Sequence, residues 1–181
     1  MILYRIYRFV NRSIGTDTVF EIVDQMKRMV NEMETRYMDV LTQGVYLIGV
    51  KDSGKINFMT AAWITQISGN PKKILIAVGK NHYTAEMIRR AGIFSVNALA
   101  EGQEELARKC GYTSGRKTDK SEGVDYEMED GVPVVYDTAG YLWCTLTGEI
   151  DEGDHVLFIG TVKSGAKMAK KPLVYCEKEY F

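Results

Sequence analysis

The sequence lacks both of the glycine-rich loops that most often bind nucleotide phosphates. Neither G-x-G-x-x-G nor G-x-x-x-x-G-K-[ST] occurs in its 181 residues. Its three cysteines, Cys110, Cys144 and Cys176, include no C-x-x-C pair, which argues against a zinc or rubredoxin-type site in this chain and against a disulfide framework. The two histidines have no carboxylates at ligand spacing, so we predict no metal site.

The chain also lacks a charge bias and a long apolar run. Its net charge is −1, so we expect neither nucleic acid nor a membrane as a partner. No apolar run reaches transmembrane length. The apolar start, Met1–Val10, contains Arg5 and Arg8 and has no small-residue cleavage site after it, so we expect no signal peptide there. Unpaired cysteines are typical of a reducing compartment, so we expect a cytoplasmic protein.

The hydrophobic pattern predicts mostly strands after residue 40. The predicted strands are Gly44–Val50, Phe58–Ile67, Ile74–Val78, Ile93–Leu99, Tyr141–Asp151, His155–Val162 and Leu173–Cys176. The predicted helices are Tyr83–Ala91, ended by Gly92, and Gln103–Cys110, ended by Gly111. Tyr112–Gly131 is polar and is predicted to be a long irregular loop. Strands that do not alternate with helices indicate a mainly β fold, a closed antiparallel barrel with added helices.

Residues 1–39 form a predicted N-terminal extension, and residues 40–181 form the main domain. Within residues 1–15, the run Ile2–Val10 alternates weakly, which is compatible with a strand. Thr18 and Glu21 have capping-box spacing, and apolar residues recur at helical intervals up to Met33, which predicts an amphipathic helix. Two interpretations stay open. The helix covers a barrel end or a subunit interface, or Met33 is the true start of the protein.

The stretch Asn57–Trp63 is unusual for a strand because two alanines follow Thr60. Alanines bury little area, so Ala61 and Ala62 would let a flat ligand approach the backbone, with Asn57 and Thr60 as polar partners. The alternative is an ordinary strand whose alanines face a close neighbour. Both interpretations stay open on this stretch alone.

Two cationic segments and one histidine are candidates for ligand contacts. Lys80–Thr84 precedes a helix, where a cation and free amides suit an anion, although a simple helix cap explains it as well. Ser114–Lys120 contains three cations and three hydroxyls around a glycine, which suits a phosphate, although a solvated loop is a strong alternative. His155 follows Asp154 at a strand start and either orients a ligand or satisfies the turn.

Five segments in this order resemble the flavin reductase-like family with the FMN-binding split barrel, in particular flavoredoxin and the flavin domain of high-molecular-weight rubredoxins. They are Asn57–Trp63, Lys80–Thr84, Gly92–Asn97, Cys110–Lys120 and Gly153–Gly160. The resemblance covers residues 40–181. It implies a Greek-key split barrel of six or seven strands. It also implies a homodimer with FMN at the interface and electron transfer from NADH or NADPH to flavin, a ferric complex or a small redox protein.

The resemblance also implies the site. The implied FMN contacts are Asn57, Met59, Thr60, Ala61, Ala62, Trp63, Lys80, Tyr83, Thr84, Ser114, Arg116 and Lys120. His155 is implied to seat the nicotinamide or the acceptor. A rubredoxin, if it is the partner, would be a separate chain. Two alternatives stay open: an electron-transfer flavoprotein without its own NAD(P)H turnover, and an FMN-free oxidase or heme-handling relative.

Overall fold

The computed structural model describes residues 16–35 and 37–176, and the chain divides into two units, residues 1–42 and 43–181. The first unit contains helix α1 (Thr16–Thr35) and a 3-10 helix over Tyr37–Val40. The predicted helix is therefore confirmed, but it begins before Thr18, so the predicted capping position is wrong. The strand considered for Ile2–Val10 lies outside the described residues.

Seven strands of the second unit form one antiparallel sheet. They are β1 (Tyr46–Asp52), β2 (Lys55–Ala61), β3 (Ile64–Gly69), β4 (Lys72–Gly79), β5 (Ile93–Ala98), β8 (Gly140–Glu152) and β9 (His155–Lys167). Their spatial order is β2-β1-β5-β8-β9-β4-β3. Consecutive strands β2 and β3 form opposite edges, so no ladder closes the sheet. The predicted split barrel is confirmed, and the closed barrel suggested by the strand pattern is wrong.

A hairpin and two helices complete the second unit. The hairpin consists of β6 (Tyr126–Glu129) and β7 (Val132–Val135), so the predicted irregular loop contains a strand. Helix α2 (Tyr83–Ala91) ends at Gly92, whose φ of +69° confirms the predicted glycine cap. Helix α3 (Glu104–Tyr112) continues through Gly111, which has no left-handed backbone, so the predicted stop is wrong.

The predicted strand Phe58–Ile67 is divided where the chain passes from one sheet edge to the other. Strand β2 ends at Ala61 and β3 begins at Ile64, whose amide donates to the Ala62 carbonyl across 3.0 Å. The predicted strand Leu173–Cys176 is not a regular strand. It takes part in the isolated bridge between Gly44 and Val174.

Two apolar clusters hold β2 in place. The barrel interior contains Phe94 and Phe158, and α2 closes one barrel end with Met87 and Ile88. A second cluster lies between the outer face of the β1–β2 pair and α3 and includes Phe58. Burying such side chains stabilises a fold by about 1.5–3 kcal/mol each. Strand β2 is therefore fixed between the barrel and α3.

Candidate ligand-binding cleft

Two adjoining cavities lie beside β2. The strand-end cavity, about 300 Å³, contacts the end of β2, the β2–β3 connection and α3. The helix-end cavity, about 250 Å³, lies at the start of α2. Both cavities are lined by Met59, Thr60, His82, Gly111 and Tyr112. The two cavities therefore form one cleft with two ends, called the cleft below.

The strand-end cavity has the small-residue wall that the sequence predicts. Ala61, Ala62 and Trp63 line it together with Ala77 and Val78 of β4, and the Ala77 amide donates to the Trp63 carbonyl across 3.0 Å. The Thr60 hydroxyl donates to the Ala107 carbonyl across 2.6 Å, which ties β2 to α3 and leaves the Thr60 oxygen able to accept a further bond. This narrow apolar wall suits a flat ring.

The helix-end cavity is polar and collects residues from both cationic segments. Tyr83 and Thr84 line it from the first turn of α2, and Ser114, Gly115 and Lys120 line it from the loop after α3. The first amides of a helix have no acceptor within the helix, so the start of α2 offers donors to an anion. The structure thus brings together four predicted contacts, Tyr83, Thr84, Ser114 and Lys120.

Lys120 is the cation that the fold places inside this cavity. Its side chain is 5% exposed, and its ammonium donates to the Cys110 carbonyl across 2.6 Å. An ammonium has three donors, and no carboxylate of the described chain forms an ion pair with it. Burial lowers the Lys120 pKa below its ordinary value. An anion in the cavity would supply the missing counter-charge.

The other two predicted cations are already paired on the surface. The Arg116 guanidinium bonds to Glu86 and lies 5.0 Å from the centroid of the Tyr83 ring. Lys80 pairs with Asp151. Neither Arg116 nor Lys80 is among the described lining residues of the cleft. Their role in ligand binding stays a prediction.

Asn57 is not among the described lining residues of the cleft, but it contacts two of them, Thr84 and Gly115. It lies opposite Val50 in the β1–β2 ladder, faces the barrel interior and donates to the Thr84 hydroxyl across 2.8 Å. Its side-chain oxygen is buried without a partner, and a Cβ built on Gly115 would overlap it. Asn57 therefore supports the start of α2 and the Gly115 backbone from below, rather than lining the cleft.

His155 and Trp63 form one wall of the strand-end cavity. Their ring centroids are 4.7 Å apart with planes inclined by 38°, and 53% of Trp63 is exposed. His155 Nδ1 lies 2.7 Å from a carboxylate oxygen of Asp154. This bond lowers the Asp154 pKa and restrains the orientation of the His155 ring.

Sequence reasoning missed several residues that line the cleft. His82 lies between the two cavities with Nδ1 3.3 Å from the Met59 sulfur, and Arg108 and Tyr112 line the cleft from α3. The signal for His82 was its place inside the Lys80–Thr84 segment. No signal marked the α3 residues, because helical spacing does not show which face meets β2.

Burial lowers the His82 pKa below its ordinary value, and the positive charges of Lys120 and His155 lower it further. Burial therefore favours the neutral imidazole of His82, which can either donate or accept one hydrogen bond in the cleft.

Within residues 16–35 and 37–176, no group of three or more histidines, cysteines or acidic residues gathers as metal ligands. The three cysteines in this part of the chain are free thiols, and burial raises the pKa of Cys144 to about 12. No helix of this part has the length and hydropathy to span a membrane.

Residues 38–181 match the model of the flavin reductase like domain. The chain belongs to this flavin-binding oxidoreductase family, whose fold the preceding section describes. A high molecular weight rubredoxin of Moorella thermoacetica is 34% identical over 147 residues, which are 79% of this chain and 64% of that protein. The chain thus spans less than two thirds of that relative.

Two solved structures have the same fold. The NADH:FAD oxidoreductase SgcE6 of Streptomyces globisporus has a TM-score of 0.71 and 27% identity, covering 75% of this chain and 82% of that one. Flavoredoxin of Methanosarcina acetivorans has a TM-score of 0.71 and 25% identity, covering 76% and 82%.

Proposed function

We propose that this protein binds FMN in the cleft and transfers electrons from NADH or NADPH to flavin, a ferric complex or a small redox protein. One observation carries the proposal: a narrow apolar cavity along Ala61–Trp63 continues into a polar cavity that contains the buried ammonium of Lys120. A flat ring with a phosphate at the end of a short chain has the same two parts.

The described residues fit FMN at both ends. Ala62 and Trp63 would contact the ring, and Thr60 with nearby backbone would bond to its polar edge. Lys120 and the first amides of α2 would hold the phosphate. A phosphate carries about −1.5 to −2 charge at pH 7, which would compensate the buried ammonium.

The flavin, when bound, supplies the hydride and electron chemistry, and the protein supplies binding and orientation. His155 and Trp63 lie at the open side of the strand-end cavity, where a nicotinamide or an acceptor could approach. His155 would orient that molecule, because the Asp154 carboxylate fixes its ring. NADH as donor is supported by the similarity to SgcE6, which is an NADH:FAD oxidoreductase.

The absorption spectrum of the purified protein tests this proposal, with the flavin released and identified by chromatography. We expect FMN, bleached anaerobically by NADH or NADPH. Recovery of FAD alone, or of no flavin after reconstitution, would contradict FMN binding. We also propose a cytoplasmic location, which the free thiols support.

A second candidate is an electron-transfer flavoprotein that has no NAD(P)H turnover of its own. The relationship to a high molecular weight rubredoxin supports it, since the matched part is joined there to further sequence. Tightly bound FMN that only a partner protein reduces would favour this candidate. Rapid NAD(P)H oxidation by the protein alone would exclude it.

We further propose a homodimer that completes the cleft. On the outer face of β4 and β9, Leu75 pairs with Ile159 and Ala77 with Leu157, and Ile150 of β8 continues the row. This apolar face is continuous with the cleft, which Ala77 also lines. A second copy related by a two-fold axis would cover both together.

Sedimentation with and without FMN tests the dimer. Leu157→Glu would place a charge on the apolar face, and we expect it to weaken dimerisation and FMN binding together. Met128→Glu, on the exposed β6 strand, is the matched control. A wild-type monomer with full FMN affinity at every concentration would contradict the shared site.

A further inference from the structure

A third cavity opens at the barrel end opposite α2. It has a volume of about 500 Å³, within the range of small-molecule sites. Helix α2 follows β4 and precedes β5, so it closes the end where Gly79 and Ile93 lie. This third cavity, called the barrel-end cavity below, lies at the other ends of the same strands, beside Lys72 and Val96.

The walls of the barrel-end cavity are apolar. Tyr46, Ile64, Ile74, Val96, Leu142 and Val162 line it, and all of them belong to the interior cluster of the barrel or pack against it. Apolar area of this kind favours a hydrophobic ligand by about 25 cal/mol per Å² that is removed from water. The interior of the barrel therefore offers a hydrophobic surface at this end.

The mouth of the barrel-end cavity is positive. Lys72 and Lys73 line it together with Thr65 and Gln66, and none of the described lining residues is acidic. No ion pair joins either lysine to a carboxylate of the described chain. Two lysines at the mouth of this apolar cavity complement a molecule with an apolar body and one anionic end.

We propose that the barrel-end cavity binds a small apolar monocarboxylate, with its hydrocarbon part among Val96, Leu142 and Val162 and its carboxylate at Lys72 and Lys73. Acyl and aromatic carboxylates share this chemistry. The site is separate from the cleft and needs no flavin. The β2–β3 connection lies between them, since Trp63 lines the cleft and Ile64 lines the barrel-end cavity.

Calorimetric titration of the purified protein with octanoate and with 4-ethylbenzoate tests the site, and acetate and octan-1-ol separate charge from apolar contact. We expect one of the two acids to bind in a one-to-one ratio per chain, and the other two compounds to bind at least about tenfold more weakly. Octanoate binding alone would assign an acyl ligand, and ethylbenzoate binding alone an aromatic one. Failure of both acids to bind would overturn the proposal.

Two variants locate the bound acid. The double substitution K72Q/K73Q should weaken it about tenfold, whereas K51Q/K167Q, which removes the same charge from lysines outside the lining, should leave it unchanged. V162F should reduce binding by filling the cavity, with circular dichroism confirming that it folds. Equal loss in both lysine pairs, or unchanged binding in folded V162F, would overturn the assignment.

Discussion

The two ends of the cleft are built from different kinds of structure. The small-residue wall of the strand-end cavity is formed by consecutive residues, Ala61 to Trp63, where the chain leaves one sheet edge for the other. The helix-end cavity is assembled from distant segments, with Thr84 on α2 and Lys120 on the loop after α3. The comparison shows that shape comes from local sequence here, whereas charge at the site depends on which cation the tertiary fold leaves unpaired.

Removing the buried cation Lys120 should have the largest effect on FMN affinity. Lys120→Met should weaken FMN binding by about 2–3 kcal/mol, the scale of a lost charged hydrogen bond. Arg116→Met, a substitution of an exposed and already paired cation, should change FMN affinity by roughly threefold or less. Titration of flavin fluorescence with FMN and riboflavin measures both, and riboflavin binding should stay unchanged. Equal losses of FMN affinity in the two variants would contradict the claim that the buried Lys120, rather than the surface Arg116, holds the phosphate.

Adding bulk to the strand-end cavity should weaken the binding of FMN and of riboflavin alike. Ala62→Leu adds bulk to the apolar wall, and overpacking costs about 1–3 kcal/mol, so FMN and riboflavin should both bind roughly tenfold more weakly. Ala166→Leu on β9, outside the cleft lining, is the control. A variant that weakens FMN alone would show that Ala62 lies near the phosphate instead.

His155 should affect the rate of flavin reduction more than flavin binding. His155→Ala removes the fixed ring beside Trp63, so reduction by NAD(P)H should slow by about tenfold through lost orientation. Anaerobic stopped-flow absorbance measures the rate per bound flavin. If flavin content falls while that rate stays normal, His155 has a structural role.

The smallest expected effect is on the pH dependence of stability. It comes from His82, which lies between the two cavities of the cleft. NMR titration should give a His82 pKa below 6.5, and Lys120→Met should raise it by removing a nearby positive charge. Because the unfolded chain binds more protons between the folded pKa and 6.5, the free energy of unfolding should rise with pH across that window. His82→Gln should remove this part of the slope; an unchanged slope would argue against a depressed pKa.

The fold was largely predictable because strand patterns and turn residues are local. The prediction that Gly92 ends α2 is confirmed, because the chain takes a left-handed backbone conformation there that favours glycine. The prediction that Gly111 ends α3 was wrong, because a glycine can also continue a helix. Closure of the barrel could not be predicted, since the pattern of β2 and β3 does not show that they lie at opposite edges.

The site was predictable in composition but not in arrangement. The Ala61–Trp63 wall followed from small side chains in sequence. The difference between Lys120 and Arg116 did not, because the partner of Arg116 is Glu86, thirty residues away. The role of Asn57 as a flavin contact stays a prediction, and the sequence did not show that its amide bonds to Thr84.

The most direct test of the account compares backbone amide NMR shifts of the flavin-free protein on adding FMN and on adding riboflavin. The account predicts that both ligands shift Ala62 and Trp63 and that only FMN shifts Thr84 and Lys120, because one flavin spans the cleft with its phosphate at the start of α2. Identical shifts from both ligands, or shifts confined to residues outside the cleft, would contradict it.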